Sequence, residues 1–318
     1  MVAPDLKFSG SICLQVPASE ESRATDFLGQ VYHLFKKQKV LLGAATGFGF
    51  GRFKCNEFTC SYYDLGNKSS LKKWLCKAPA PLEIKESELP IDGTRFSIKA
   101  KLRDSLLIRD SEGTADGPDA QHISWKKDSH YIPGTSLRGA IRARAEKILT
   151  VFVADPTKSE NILRSIFGYV STDSETEQKC SRGRLSVMDG KVEGVVSELQ
   201  NRVSIDRFTG GARDGKLFDA KALFPDYKET SAGLCEFEFK LSADAKQVEV
   251  GLMLLTLLDF ARGDFAVGGE KSIGRGRFDL QVFSVQSHGK NLMISGNDKS
   301  TGDIEYFQQC IQKLEQGL

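Results

Sequence analysis

The sequence contains no apolar run long enough to cross a bilayer. Its longest run, Val250–Leu258, has nine residues when Gly251 and Thr256 are counted, and Asp259 ends it. A transmembrane helix needs about twenty apolar residues. The first residues, Met-Val-Ala-Pro-Asp-Leu-Lys, also lack the apolar segment of a secretory signal. We therefore expect no membrane span and no secretion.

The sequence also lacks the cysteine pattern of a disulfide scaffold or a zinc finger. Its seven cysteines are odd in number, none forms a CxxC pair, and Cys55 and Cys60 are the closest two. Disulfide scaffolds use even numbers of cysteines, and structural zinc sites use closely spaced ligand pairs. A reduced, cytoplasmic protein is expected.

The chain has little net charge. Its 44 basic and 42 acidic residues leave +2 at pH 7, and 40% of the residues are apolar. This composition is typical of a folded protein, and 318 residues suggest about two domains. A nucleic-acid site would therefore have to come from local clustering of basic residues.

An internal repeat organises the chain, because residues 8–61 align with residues 233–286 at a constant shift of 225 positions. Each copy has an alternating apolar segment, a segment of helical spacing, a glycine-rich stretch and a second alternating segment. The glycines match at fixed offsets, as Gly51 does with Gly276. The pattern predicts strand, helix, glycine-rich loop and strand, present twice.

The first copy resembles the rear half of a domain whose front half is absent. A lone strand–helix–strand cannot cover both faces of its sheet. We therefore expect it to pack on the second unit, on another chain or on a further segment. The predicted plan is a partial unit at 1–62, a linker or insertion at 63–92 with a helix at Ser69–Lys77, a complete domain at 93–286, and a C-terminal tail at 287–318 with a helix at Asp303–Glu315 capped near Thr301.

The complete domain is predicted to be α+β, with a split βαβ, ferredoxin-like sheet and large insertions. Its first strand, at Arg95–Lys101, leads into residues 103–130, which are rich in aspartate and predict a long loop. A polar segment at 170–182 is expected to be mobile. A further strand begins at Leu185, and residues 190–232 form a second excursion.

The sharpest local motif is Ile-Pro-Gly-Thr-Ser-Leu-Arg-Gly-Ala-Ile-Arg at residues 132–142. It predicts a turn, a cap at Thr135 or Ser136, and a helix from about Leu137 to Val153. The first turn of a helix attracts phosphate, although any helix needs a cap and surface arginines are common, so both interpretations stay open. The candidate RNA-binding residues are Gly134, Thr135, Ser136, Arg138, Gly139 and Arg142.

Two further segments combine glycines with basic residues. Residues 268–277, here called the closing loop, offer Lys271 and Arg275 beside glycine N–H groups, although a tight turn before a strand explains many of these glycines. In residues 202–218, basic and aromatic side chains alternate with glycines between two extended segments. This predicts a hairpin that either binds RNA or is simply exposed to solvent. Its candidates are Arg202, Arg207, Phe208 and Arg213.

These three motifs occur in the order seen in the RAMP superfamily of CRISPR-associated proteins, and the chain most resembles the backbone subunits of type III effector complexes. The resemblance covers residues 94–286 as one domain and 6–62 as half of another. It implies an RRM-like palm with a thumb hairpin that interrupts a guide–target duplex. The implied partners are a CRISPR guide RNA, a single-stranded target RNA and neighbouring effector subunits.

The resemblance also implies cleavage of target RNA by an aspartate in the loop after the first strand, with Mg²⁺ or another divalent cation. On this chain the loop is 103–130, and the candidates are Asp110, Asp116, Asp119 and Asp128. Judged by the distance to the Ile-Pro-Gly turn, the resemblance favours Asp119 as catalytic residue and metal ligand, with Asp116 second.

His122 or His130 is a candidate for assisting proton transfer at this site. The truncated first unit lacks the acidic loop and is not expected to cut RNA. A non-catalytic RNA-binding scaffold is the alternative function, because backbone subunits without cutting activity exist in the family. A metal-independent, guide-processing endoribonuclease ranks third, since the four histidines show no pairing that would require it.

Overall fold

The structure is a computed structural model that describes residues 7–37, 40, 42, 51, 53–87, 93–110, 117–126, 129–170 and 180–316. The chain divides into two compact units, one formed by residues 1–42 and 51–90, the other by residues 43–50 and 91–318. In the part of the chain that is described, no helix has the length and apolar character needed to cross a membrane.

Among its described residues the first unit has two α-helices, α1 at Glu21–Lys36 and α2 at Lys68–Leu75. The helix predicted at Ser69–Lys77 is therefore confirmed, and it begins one residue early because the side chain of Asn67 accepts a hydrogen bond from the Ser69 N–H. The helix predicted by the repeat is also confirmed, since a shift of 225 places α1 on residues 246–261, where the second unit has its own long helix.

The prediction of two strands in the first copy is wrong. Residues 7–17 and 53–60 have no assigned strand, and Ser61 makes only an isolated bridge to Pro81. A strand needs a neighbour that accepts and donates backbone hydrogen bonds, and the described residues provide none here. As a result Phe8 and Ile12 keep 66% and 59% of their surface exposed.

The second unit contains fourteen strands and four helices among its described residues. In chain order they are β1 Thr94–Leu102, β2 Ala120–Gln121, β3 Ser124–Lys126, β4 Ser129–Ile132, α3 Gly134–Phe152, α4 Pro156–Phe167, β5 Tyr169–Val170, β6 Cys180–Ser181, β7 Leu185–Val187, β8 Gly190–Glu193, β9 Val195–Ile205, β10 Ala212–Pro225, β11 Leu234–Leu241, α5 Gln247–Ala261, β12 Phe278–Ser287, β13 Lys290–Ser295, β14 Ser300–Gly302 and α6 Ile304–Glu315.

The main sheet has the order β14-β13-β12-β1-β11-β8-β4-β3, and β7 also pairs with β11. All of these pairings are antiparallel. Along the chain, β1, α3, β7–β8, β11, α5 and β12 follow one another, so strands and helices are mixed around one antiparallel sheet. The α+β prediction is confirmed.

The core lies between the sheet and its helices. Because successive side chains of a strand point to opposite faces, β1 buries Phe96, Ile98, Ala100 and Leu102, whereas Lys99 and Lys101 between them are exposed. Helix α5 is apolar almost all round because it lies between the sheet and α6. A Cβ at Gly251 would lie 2.3 Å from the Cys310 carbonyl oxygen, so only glycine allows these two helices to approach so closely.

Two other predictions need correction, and a third falls largely outside the described residues. The loop predicted at 103–130 is partly core, since the apolar residues Leu106 and Leu107 are fully buried and β2 and β3 lie within it. The C-terminal helix is confirmed, but Asp303 rather than Thr301 precedes it, and β13 and β14 extend the sheet without having been predicted. Of the predicted polar segment 170–182, residues 171–179 lie outside the described residues.

Candidate functional site

The hairpin predicted at 202–218 is present as β9 and β10, which form a three-stranded sheet with β2. At its tip, the carboxylate of Asp206 accepts the N–H groups of Phe208 and Thr209 at 2.9 and 3.0 Å and pairs with Arg213 at 3.3 Å. These backbone hydrogen bonds lower the pKa of Asp206. The tip is thus preorganised and presents the Phe208 ring, which is 98% exposed, together with exposed Arg207.

The base of the hairpin is joined to the closing loop by a buried ion cluster. Glu270 accepts hydrogen bonds from Arg202 at 2.9 Å and from Arg275 at 2.8 Å, both at Oε2. Arg275 also donates to the side chains of Gln200 at 2.6 Å and Ser105 at 3.2 Å, and only 2% of it is exposed. Burial lowers the pKa of Arg275, whereas the nearby Glu270 raises it.

This cluster changes the interpretation of two predicted RNA-binding residues. Arg202 and Arg275 have their guanidinium groups engaged within the protein, so in this arrangement they fix the hairpin to the closing loop instead of facing a ligand. Lys271 of the same loop is exposed. A Cβ on Gly276 would lie 1.9 Å from the Val267 carbonyl oxygen at a φ of +77°, so this turn requires glycine.

The start of α3 is capped from a distant part of the chain. The helix begins at Gly134, and neither Thr135 nor Ser136 acts as its cap, contrary to the prediction. Instead, the Asp189 carboxylate, in the bend between β7 and β8, accepts the Gly134 N–H at 2.8 Å. A carboxylate therefore already occupies part of the first turn that was predicted to bind phosphate.

The two arginines of α3 have different environments. Arg138 donates to the carbonyl oxygens of Leu185 at 2.6 Å and Phe167 at 2.8 Å, and burial lowers its pKa. Arg142 is exposed and lies over the Phe167 ring at 6.0 Å. A Cβ added at Gly139 would meet nothing within 4 Å, so the surface beside it is open. Arg138 anchors the helix, whereas Arg142 and Gly139 remain accessible.

Asp119 lies beside the hairpin and is joined to it by two hydrogen bonds. Its N–H donates to Asp219 Oδ1 at 2.6 Å, and the Asp219 N–H donates back to Asp119 Oδ2 at 3.0 Å. Immediately after Asp119, β2 pairs in parallel with β10, Ala120 opposite Ala220. Asp119 is exposed, so two carboxylates lie together at an accessible edge of the hairpin sheet. Asp116 and Asp128 lie outside the described residues.

His122 lies in the interior, where its ring is only 5% exposed. Nδ1 accepts the Ile108 N–H at 3.1 Å, and with that assignment Nε2 donates to the Tyr131 carbonyl oxygen at 3.0 Å. Burial lowers the pKa of His122 to about 4. Both ring nitrogens of this neutral ring are used, so His122 does not fit the proton-transfer role predicted for it. His130 packs edge-on against it, with ring centroids 5.9 Å apart.

The acidic pair meets the minimum needed for a hydrated magnesium ion. Within the described ranges there is no group of three or more His, Cys, Asp or Glu side chains able to hold a metal. Mg²⁺ is commonly bound through one or two carboxylates, with water and substrate phosphates completing its coordination. Asp119 would be the protein ligand of such an ion, with Asp219 held beside it.

Several residues that shape the site have no local signal in the sequence. Asp219 and Asp189 act on Asp119 and Gly134 from 100 and 55 residues away, and Glu270 meets Arg202 across 68 residues. The role of Asp206 is different, because Asp-Arg-Phe-Thr-Gly-Gly at residues 206–211 is a recognisable turn signal.

The part of the chain that contains this site matches a known protein family. Residues 116–279 match the model of the RAMP superfamily, which is slightly more than half of the chain. The match includes Asp119, the hairpin and the closing loop. No curated protein matches the sequence.

Proposed function

Because the chain belongs to the RAMP superfamily, we propose that it is a guide-RNA-binding backbone subunit of a type III CRISPR ribonucleoprotein that cuts complementary single-stranded target RNA. Membership itself indicates a CRISPR-associated, RNA-binding subunit. The subtype and the cutting activity are the parts that we propose. In this proposal the main sheet with α3 and α5 is the palm, and β9–β10 is the thumb.

The observation that carries the proposal is the reciprocal hydrogen bonding of Asp119 and Asp219 at 2.6 and 3.0 Å. It makes the candidate catalytic carboxylate part of the same small sheet as the hairpin. A hairpin that separates two strands of a duplex leaves a distorted phosphodiester next to it. Asp119 is then held at a fixed distance from that linkage, as in-line attack by a 2′-hydroxyl requires.

RNA binding in this proposal relies on exposed groups and not on the buried arginines. Arg142, Arg207 and Lys271 are exposed and carry the charges that phosphates need. Contacts of this kind hold the backbone of a nucleic acid without reading its sequence. Phe208 at the tip offers an aromatic face on which a base can stack. This fits a subunit that accepts any guide.

A divalent cation would be held by Asp119, with Asp219 as its neighbour. When bound, such an ion neutralises charge that develops on the phosphate during cleavage. The residues of the chain contribute the position of the carboxylate and the placement of the RNA. Asp119 remains the single residue whose loss tests cleavage most directly.

Cleavage is tested with the complex assembled on its guide, labelled target RNA and Mg²⁺. We expect Asp119→Ala to lower the cleavage rate by at least about 100-fold, the usual scale for a lost catalytic group, while guide binding stays unchanged. Asp214→Ala, at an exposed aspartate of the hairpin, is the matched control and should cut normally. Undiminished cutting by Asp119→Ala would reject the assignment.

The alternative is a scaffold that binds RNA and cuts nothing. It is favoured by the small set of possible metal ligands, because the described residues bring together no group of three or more His, Cys, Asp or Glu side chains that could hold a metal. Cleavage near this subunit that requires Mg²⁺ and stops on chelation argues against the scaffold. A guide-processing, metal-independent ribonuclease is less well supported, since His122 is buried with both ring nitrogens bonded.

A further inference from the structure

The two copies of the repeat share a loop geometry that their sequences alone do not require. In the first unit the Leu42 N–H donates to the Gly51 carbonyl oxygen at 3.0 Å, and in the second the Val267 N–H donates to that of Gly276 at 3.0 Å. The two glycines have φ values of +76° and +77°. A shift of 225 positions aligns both pairs, so the two copies have the same backbone hydrogen bond between corresponding residues.

The surroundings of the two helices correspond as well. Helix α1 packs through Tyr32 on Phe58, with ring centroids 4.9 Å apart, and Phe8 meets Phe53 at 5.6 Å. The segment after α1 therefore packs on the helix, and the segment before α1 contacts the segment after it. The shift of 225 places residues 9–16 on β11 and residues 53–62 on β12.

The two units differ in whether a strand lies between the segments that precede and follow the helix. In the second unit β11 and β12 are not neighbours, because β1 lies between them and pairs antiparallel with both along its length. In the first unit the described residues supply no strand between 7–17 and 53–60. Ile12 and Leu14, which correspond to the buried Phe237 and Phe239, are 59% and 40% exposed.

We propose that the first unit is a strand acceptor, into which one further polypeptide strand inserts between residues 8–16 and 53–61, antiparallel to both. The second unit defines the chemistry of the inserted strand. It carries a large apolar residue at every second position, as β1 does with Phe96 and Ile98. Main-chain hydrogen bonds hold such a strand, and its alternate side chains select it.

The occupant is a polypeptide other than β1 itself and other than RNA. β1 is bonded on both edges, and Phe96 and Ile98 are no more than 1% exposed, so it cannot serve two units. An RNA strand would find exposed apolar side chains at Ile12 and Leu14 where it needs cations. A peptide strand matches both the apolar alternation and the backbone groups that residues 8–16 and 53–61 would present.

The test uses the full chain and a fluorescent synthetic peptide with the sequence of residues 93–104. We expect saturable binding, and new protection from hydrogen exchange confined to residues 8–16 and 53–61. Ile12→Asp with Leu14→Asp should weaken binding at least about tenfold, since two apolar contacts are lost. The matched control is Cys13→Asp with Gln15→Asp, whose equivalents Glu238 and Lys240 are exposed in β11, and it should bind as the wild type does.

A second arm leaves the protein unchanged and alters the peptide. A peptide carrying Phe96→Asp and Ile98→Asp should neither bind the chain nor protect residues 8–16 and 53–61 from hydrogen exchange. This result does not depend on how the protein variants fold. Absence of protection with the native peptide, protection at other residues, or equal weakening in both protein variants would overturn the proposal. No RNA is present, so the result is independent of whether the chain binds or cuts RNA.

Discussion

Burial holds His122 as a neutral ring with a pKa of about 4, well below its ordinary value of 6.5, and both of its ring nitrogens are hydrogen-bonded. The unfolded chain takes up a proton at this residue between pH 6.5 and 4, whereas the folded chain does not. Stability is therefore complete above about pH 6.5 and falls as the pH drops toward 4. The loss reaches about 3 kcal/mol at the acid end, at about 1.4 kcal/mol per pH unit.

Urea unfolding at pH 7.5 and pH 5.0 measures this effect. We expect the free energy of unfolding to fall by about 2 kcal/mol between these pH values because of His122 alone. His122→Gln should remove most of that difference, and His288→Asn, at an exposed histidine, should leave it unchanged. An equal pH dependence in wild type and His122→Gln would show that the buried ring does not set it.

Asp219 positions Asp119 through a hydrogen bond that an amide oxygen can also accept. We therefore expect Asp219→Asn to keep cleavage within about threefold of wild type, and Asp219→Ala to lower it about tenfold or more by releasing the Asp119 backbone. Cleavage rates at saturating Mg²⁺ compare the two variants. Equal loss in both would mean that the charge of Asp219 acts directly on the ion or the RNA.

At the scale of elements, the hairpin and the closing loop are joined through Glu270. Its carboxylate pairs with both Arg202 and Arg275. The side chain of Arg202 is 25% exposed and that of Arg275 is 2% exposed. Glu270→Ala leaves two guanidinium groups without this partner, one of them buried. Breaking a buried pair in this way costs about 3 kcal/mol of unfolding free energy.

Chemical denaturation tests this prediction against Glu160→Ala, which removes an exposed pair with Arg164 one helical turn away. The control should cost less than about 0.5 kcal/mol. Similar losses in the two variants would indicate that the Glu270 cluster is as well solvated as the surface pair. It would then contribute little to fixing the hairpin.

Local patterns predicted the elements, and long-range contacts decided their details. Helices α1, α2 and α6 follow from apolar spacing, and the β9–β10 hairpin follows from basic and aromatic residues around a Gly-Gly turn. The cap predicted for α3 was wrong because Asp189, which directly precedes the neighbouring strand β8, accepts the Gly134 N–H. The first-copy strands were wrong because alternation predicts a strand only when a neighbour completes it.

At the scale of the whole molecule, a net charge of +2 means that binding to RNA must come from a few exposed cations. Among the basic residues predicted to bind RNA, Arg202, Arg138 and Arg275 are held by protein groups, whereas Arg207 and Lys271 are exposed. The affinity of the chain for single-stranded RNA should therefore depend on salt through these exposed groups.

Neutralising both groups in Arg207→Gln with Lys271→Gln should reduce the slope of log affinity against log salt by about 1.4, since each phosphate contact to a single strand contributes about 0.7. The matched control is Lys68→Gln with Lys72→Gln, which removes the same charge from the exposed face of α2. Its slope should stay within about 0.3 of wild type. If both variants lower the slope equally, the protein attracts RNA through its overall charge, and the surface formed by the hairpin and closing loop is not the interface. A reduced slope in the first variant alone locates the RNA on that surface, beside the carboxylate that is proposed to cut it.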